Sequence, residues 1–97
     1  MEAPVIIAGQ NSIAVNFLRY LHVNYGGQLK LYVVLNRTDT GKSGWQPSLK
    51  FEAELLGVRA LSLAESYKIK DALFLSLEFD RIINPTKFDT DKIYNVH

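Results

Sequence analysis

The sequence predicts an α/β fold, a Rossmann-like, doubly wound and mostly parallel sheet, and three observations predict it. Short apolar runs rich in β-formers alternate along the chain with segments of helical spacing. Two of those runs, Pro4-Val5-Ile6-Ile7-Ala8 and Leu29 to Leu35, are apolar on both faces, as strands buried between two helix layers must be. A helix joins these two runs, and a strand-helix-strand crossover in one sheet makes its strands parallel. The alternation stops after a fifth run beginning at Ile93, with no helix after it, so the expectation is an apparently truncated sheet: residues 1–97 as one part of a larger domain.

Gly9 ends the first run, and Gly9-Gln10-Asn11 makes a tight turn. Ser12 is the expected N-cap of a helix in which Ile13, Ala14, Phe17, Leu18 and Leu21 recur at helical spacing up to Tyr25, with Gly26-Gly27 as a left-handed stop. Leu29 to Leu35 is the second strand, and Asn36 through Gln46 a polar loop. Pro47-Ser48 opens a second helix whose Leu49, Ala53 and Leu56 share one face and whose terminator is Gly57. A short strand from Val58 to Leu61, an irregular stretch to Asp71 with a helical turn or two, and a buried strand from Ala72 to Leu77 follow. Asn84-Pro85-Thr86 and Asp89-Thr90-Asp91 are turn material before the last strand.

Composition removes several function classes. With 47% hydrophobic residues, 22% charged and a net charge of +1, the chain is that of a folded globular domain. Its basic residues are interleaved with acids, whereas a nucleic-acid footprint needs a clustered stripe, so no direct nucleic-acid contact is expected. There is no cysteine, which excludes thiolate chemistry and fits a reducing, cytoplasmic location. His22 and His97 are too far apart in sequence to form a metal motif, so no metal is expected. No apolar stretch approaches the roughly 18 residues of a membrane span, so no membrane partner is expected either.

Two phosphate-binding patterns are partial. Gly9-Gln10-Asn11-Ser12-Ile13-Ala14 occupies the place of a dinucleotide fingerprint but lacks its second glycine, leaving Gln10 and Asn11 as polar residues at a substrate cleft. Asn36 to Ser43 resembles a phosphate loop with Asn for the first glycine, yet Gly44 and Pro47 delay the helix that should face the phosphate. Thr38 to Trp45 therefore reads as a loop over the cleft, with Trp45 either closing on a planar ligand or packing on the neighbouring helix. His22 reads as a helix-end histidine.

The end of the chain carries the sharpest signal. In the run Ile93-Tyr94-Asn95-Val96-His97, strand alternation puts Asn95 and His97 on one face, aimed beyond the carboxyl end of the sheet, where open α/β sheets bind ligands. An amide and an imidazole directed at one point can hydrogen-bond and protonate an oxygen that becomes negative in acyl or formyl transfer. The same tripeptide is also compatible with no function. Phe79 to Pro85 leaves the carboxyl end of the fourth strand beside the first, where backbone groups and apolar side chains could hold a flat heterocycle, although Ile82 and Ile83 fit a core role equally well.

Taken in order, Ile6-Ile7-Ala8-Gly9, Pro47-Ser48-Leu49-Lys50 with Ala53-Glu54 and Gly57-Val58, Phe79 to Pro85, and Asn95-Val96-His97 resemble the amino-terminal half of the formyltransferase catalytic domain. That family includes methionyl-tRNA formyltransferase, glycinamide ribonucleotide transformylase and sugar-amine N-formyltransferases. The resemblance implies that Asn95 and His97 are two of three catalytic polar residues, and that Phe79, Asp80, Arg81, Ile82 and Ile83 contact the pterin of 10-formyltetrahydrofolate, the formyl donor, chiefly through backbone. It implies a small-molecule primary amine as acceptor. The family's third catalytic residue, an aspartate, and the loop that follows its histidine would lie past His97, so the 97-residue chain alone is expected to be inactive. Asp80 stands where the tRNA enzymes usually have glycine, and Asn84 is an extra residue before Pro85. Phe79-Asp80-Arg81-Ile82-Ile83 favours the sugar-amine branch, acting on a nucleotide-linked amino sugar. The alternative is a non-catalytic α/β binding module, and an uncovered sheet face is compatible with a homodimer.

Overall fold

In the computed structural model, which describes residues 3–42, 47–80 and 83–96, five parallel strands form one sheet. The elements run β1 (Ala3–Gly9), α1 (Asn11–Tyr25), β2 (Leu29–Leu35), α2 (Leu49–Leu56), β3 (Arg59–Leu61), α3 (Leu63–Ser66), β4 (Leu73–Leu77), a 3-10 turn (Pro85–Lys87) and β5 (Ile93–Val96). Their order across the sheet is β3-β2-β1-β4-β5, and all four pairings are parallel. This is the Rossmann-like α/β architecture that the alternation of apolar runs predicts.

Alternation along β1 divides the core in two. Val5 and Ile7 face α1 and α2, packing with Ala14, Val15, Leu18, Leu49 and Ala53. Ile6 and Ala8 face the other way, with Val34, Leu61, Ala72 and Phe74. Phe74 is completely buried, and the Phe88 ring packs against it at a tilt of 59° with ring centroids 4.7 Å apart. Each fully buried Ile, Leu or Phe contributes about 2 kcal/mol of transfer free energy. Both faces of β1 are thus paid in apolar contact, which is why its sequence shows no polar alternation. On the α1 side, Phe17, Leu21, Tyr25, Leu73, Leu75 and Tyr94 line an apolar groove over β4 and β5.

Helix ends show where local chemistry decides. Ser48 caps α2, its hydroxyl accepting from the Phe51 N–H at 3.0 Å, and Gly57 closes that helix at φ 71°. In the stretch to Asp71, Ser62 and Glu65 form a reciprocal capping box around the single turn of α3. Two expectations at α1 need correction. Asn11 already belongs to the helix, at φ 63°, so the turn is shorter than predicted and Ser12 does not cap it. Gly26 is right-handed at φ −57°; the helix ends through the bond from Gly26 N–H to the His22 carbonyl and the tight turn from Gln28 N–H to the Tyr25 carbonyl, with no left-handed residue. An ion pair between the exposed Arg19 and the buried Glu52 links the two helices, Arg19 Nη2 to Glu52 Oε1 at 2.7 Å. No helix among the described residues is long and apolar enough to cross a membrane.

Candidate functional site

The chain passes outward from β1 to β2 and β3, then returns to lay β4 against the opposite edge of β1. That reversal opens a crevice beyond the carboxyl ends of β1 and β4, the ligand position of doubly wound sheets. The segments after β2, β1 and β4 therefore sit side by side. Two non-glycine residues hold left-handed backbone at this edge, Asn11 (φ 63°) after β1 and Glu78 (φ 56°) after β4. Such a conformation costs a non-glycine residue about 1 kcal/mol, asparagine less, and persists only where surrounding bonds impose it.

On the β2 side of the crevice, Gln10 and Asn11 join Thr38, Thr40, Lys42 and Ser48 around a pocket of about 140 Å³. The two residues expected at a substrate cleft are thus brought to the same cavity as the loop expected to lie over it. Asn11 also lines a second, shallow cavity with Ser12, Ile13 and Glu78, toward β4. Trp45 lies outside the described residues.

Asp39 holds the pocket's loop in shape. Its carboxylate accepts from the Ser48 hydroxyl at 2.6 Å, the Gly41 N–H at 3.0 Å and the Lys50 N–H at 3.0 Å, tying the loop to the first turn of α2. Partial burial pushes the Asp39 carboxyl up, but the Ser48 hydroxyl and the backbone N–H groups of Lys50, Gly41 and Leu49 outweigh it and hold its pKa below the usual carboxylate range. A depressed folded-state pKa stabilises the native chain above the unfolded value of about 3.9, and that stabilisation is lost as the pH falls through the folded value. Asp39→Asn, whose amide cannot accept all of these bonds, should cost about 1–3 kcal/mol at pH 7. The gap between variant and wild type in urea midpoint should narrow below pH 4; a gap unchanged at pH 3 would show that the charge is not involved.

Between the two loops stands Asn36, 2% exposed. Its Nδ2 donates to the Glu78 carbonyl at 3.3 Å and its Oδ1 accepts from the Asp80 N–H at 3.2 Å. The Asp80 carboxylate accepts from the Arg37 N–H at 3.0 Å, with the Arg37 guanidinium 3.8 Å away. Asp80, expected to contact a pterin through its backbone, thus spends its N–H on Asn36. Sequence reasoning missed Asn36: a polar residue directly after a strand reads as loop, and its partners lie more than forty positions away.

On the β4–β5 side, Phe79 and Ile83 are partly buried against the cluster around Phe74. Ile93 packs on the same cluster, whereas Tyr94 lines the apolar groove of the opposite face, so alternation puts Asn95 on the face shared by Phe79, Ile83 and Ile93. Asn95 is exposed and lies in register with the buried Ser76 of β4. Of the expected site residues, Phe79, Ile83 and Asn95 are therefore brought to one side of the sheet's carboxyl edge. Gln10 and Asn11 lie along the same edge at the end of the neighbouring β1. His97, Arg81 and Ile82 lie outside the described residues. Among the described residues no group of three or more His, Cys, Asp or Glu is arranged to hold a metal ion.

No family model and no curated protein matches the chain. Solved structures do. The N-formyltransferase from Helicobacter canadensis, in complex with folinic acid and dTDP-3-aminofucose, is 40% identical over 98% of this chain, with a TM-score of 0.88. WlaRD, a sugar 3N-formyltransferase solved in the presence of dTDP and 5-N-formyl-THF, is 37% identical over 100% of it, with a TM-score of 0.91. In both cases the match spans 35% of the solved chain. Shared sequence and shared backbone, end to end, make this chain a segment of the N-formyltransferase family.

Proposed function

We propose that the chain supplies part of the active site of an enzyme that transfers a formyl group from 10-formyltetrahydrofolate to the primary amine of a nucleotide-linked amino sugar. The observation that carries this reading is the 40% identity, over 98% of the chain, to an enzyme solved with folinic acid and dTDP-3-aminofucose. It is also supported by the fit of the edge itself: partly buried apolar Phe79 and Ile83 and an exposed amide, Asn95, on one face suit a flat heterocycle with a carbonyl nearby. In this reading residues 1–97 are the amino-terminal part of the catalytic domain.

When bound, 10-formyltetrahydrofolate supplies an electrophilic formyl carbon. The chain's own contribution is electrostatic and positional. Asn95 donates from its side-chain amide to the formyl oxygen as the amine attacks and that oxygen gains charge. His97, two residues on in sequence, stabilises the same oxygen or carries the proton released by the attacking amine. Phe79 to Ile83 hold the donor's ring against the β4 end, and Gln10 and Asn11 face the acceptor.

The test is formyl transfer from 10-formyltetrahydrofolate to dTDP-3-aminofucose by the full-length gene product, followed by mass spectrometry of the sugar nucleotide. Formylated product supports the proposal. Binding of folinic acid without turnover on any amino sugar nucleotide would favour the binding-module alternative, and absence of folinic acid binding would overturn the folate assignment as well.

A further inference from the structure

The structure assigns to Asn36 the role of a positioning residue: it clasps the loop after β4 to the loop after β2 and thereby sets the donor side of the proposed formyl-transfer site. This inference rests on that functional reading. The two loops emerge from strands on opposite sides of β1, and next-nearest strands in a sheet are separated by about 9–10 Å. No backbone ladder can join them across that distance. Asn36 does so with both ends of its amide, one to the Glu78 carbonyl and one to the Asp80 N–H. Its own carbonyl accepts from the Asp39 N–H at 3.1 Å, which continues the tie into the residues around the pocket beside Gln10 and Asn11.

Three features make this more than a surface contact. Asn36 is buried, so its amide has these two backbone groups as partners in place of water. The residue it grips, Glu78, is held in left-handed backbone, a conformation that a bond on its own carbonyl helps to impose. Residue 37 repeats the link through its N–H to the Asp80 carboxylate, so two consecutive residues of one loop grip two alternate residues of the other. Phe79 lies between the two gripped residues and is thereby turned onto the core face that also carries Ile83 and Asn95. Loss of the clasp frees Glu78 to relax toward ordinary backbone and moves the donor-binding loop, while the β1 end that faces the acceptor keeps its own ladder bonds.

The experiment compares Asn36→Ala and Asn36→Ser with wild type in the full-length gene product. Folinic acid affinity is measured by calorimetry, and KM is measured separately for 10-formyltetrahydrofolate and dTDP-3-aminofucose. Asn36→Ser retains a hydroxyl able to satisfy one of the two backbone groups, and serves if the alanine variant does not fold. The expected result is a loss of folinic acid affinity and a rise in donor KM on the order of tenfold, with acceptor KM changed less than about twofold. A folded variant with unchanged donor affinity, or equal changes in both KM values, would overturn the positioning role alone. A wild type that binds no folinic acid would overturn the functional reading and this inference with it.

Discussion

Gly9→Ala is expected to destabilise the fold severely. A Cβ at this position would stand 1.8 Å from the Leu77 carbonyl oxygen and 2.8 Å from its carbon, both backbone atoms. Gly9 and Leu77 are register partners, and the same carbonyl accepts from the Gln10 N–H at 3.3 Å. Neither strand can retreat without opening the central ladder of the sheet. The combined overpacking and backbone strain, with Gly9 at φ 156°, should cost on the order of 3–5 kcal/mol, out of the roughly 5–15 that a domain has. Circular dichroism with urea titration reads the result directly. Gly57→Ala is the control: φ is 71° but the space is open, so the loss should stay near 1 kcal/mol. Equal midpoints for Gly9→Ala and wild type would mean that the strand ends are not packed as described.

Asn95→Ala should lower kcat for formyl transfer in the full-length gene product by about 10²–10³-fold, the usual effect of deleting one donor to a developing oxyanion. Folinic acid affinity should change less than about twofold, because the side chain meets charge that exists only as the amine attacks. The exposure of Asn95 makes a large stability loss unexpected, so thermal unfolding provides the control. His97→Ala is expected to follow the same pattern. Retention of wild-type kcat by Asn95→Ala would remove the amide from the mechanism, whatever the folate affinity.

How much of this was legible in advance depended on the distance over which each residue acts. Leu29 to Leu35 was read to the residue, and Pro47-Ser48 and Gly57 were read as the opening and the terminator of α2, because those signals are local. The parallel arrangement followed from the crossover rule, and the position of β4 beside β1 from the order of a doubly wound sheet. The capping box of Ser62 and Glu65 was present in sequence as a serine with a glutamate three residues on, yet α3 is a single turn that apolar periodicity cannot resolve. Ser12 was misread as a cap because asparagine's tolerance of left-handed backbone let Asn11 make the turn itself. Gly26 was misread because a pair of glycines invites a left-handed ending that hydrogen bonding to His22 and Tyr25 renders unnecessary. At the site, alternation along the last strand aimed Asn95 beyond the carboxyl edge, and Phe79 and Ile83 were placed in the loop leaving that edge after the fourth strand; the role proposed for them came only from the resemblance. Asn36 could not be found, since burial of a polar residue by partners from another loop leaves no mark on its neighbours in sequence.

Of the five strands described, the first to leave the ribosome is the one in the middle of the sheet. A nascent chain can close one side of it as soon as Leu35 has emerged, using the helix between as a short tether. Its other side pairs only with Leu73 to Leu77, so until those residues are synthesised the most apolar segment of the chain presents a bare row of amides and carbonyls. Late, long-range closure of this kind slows folding and leaves a half-built sheet open to pairing with a stranger.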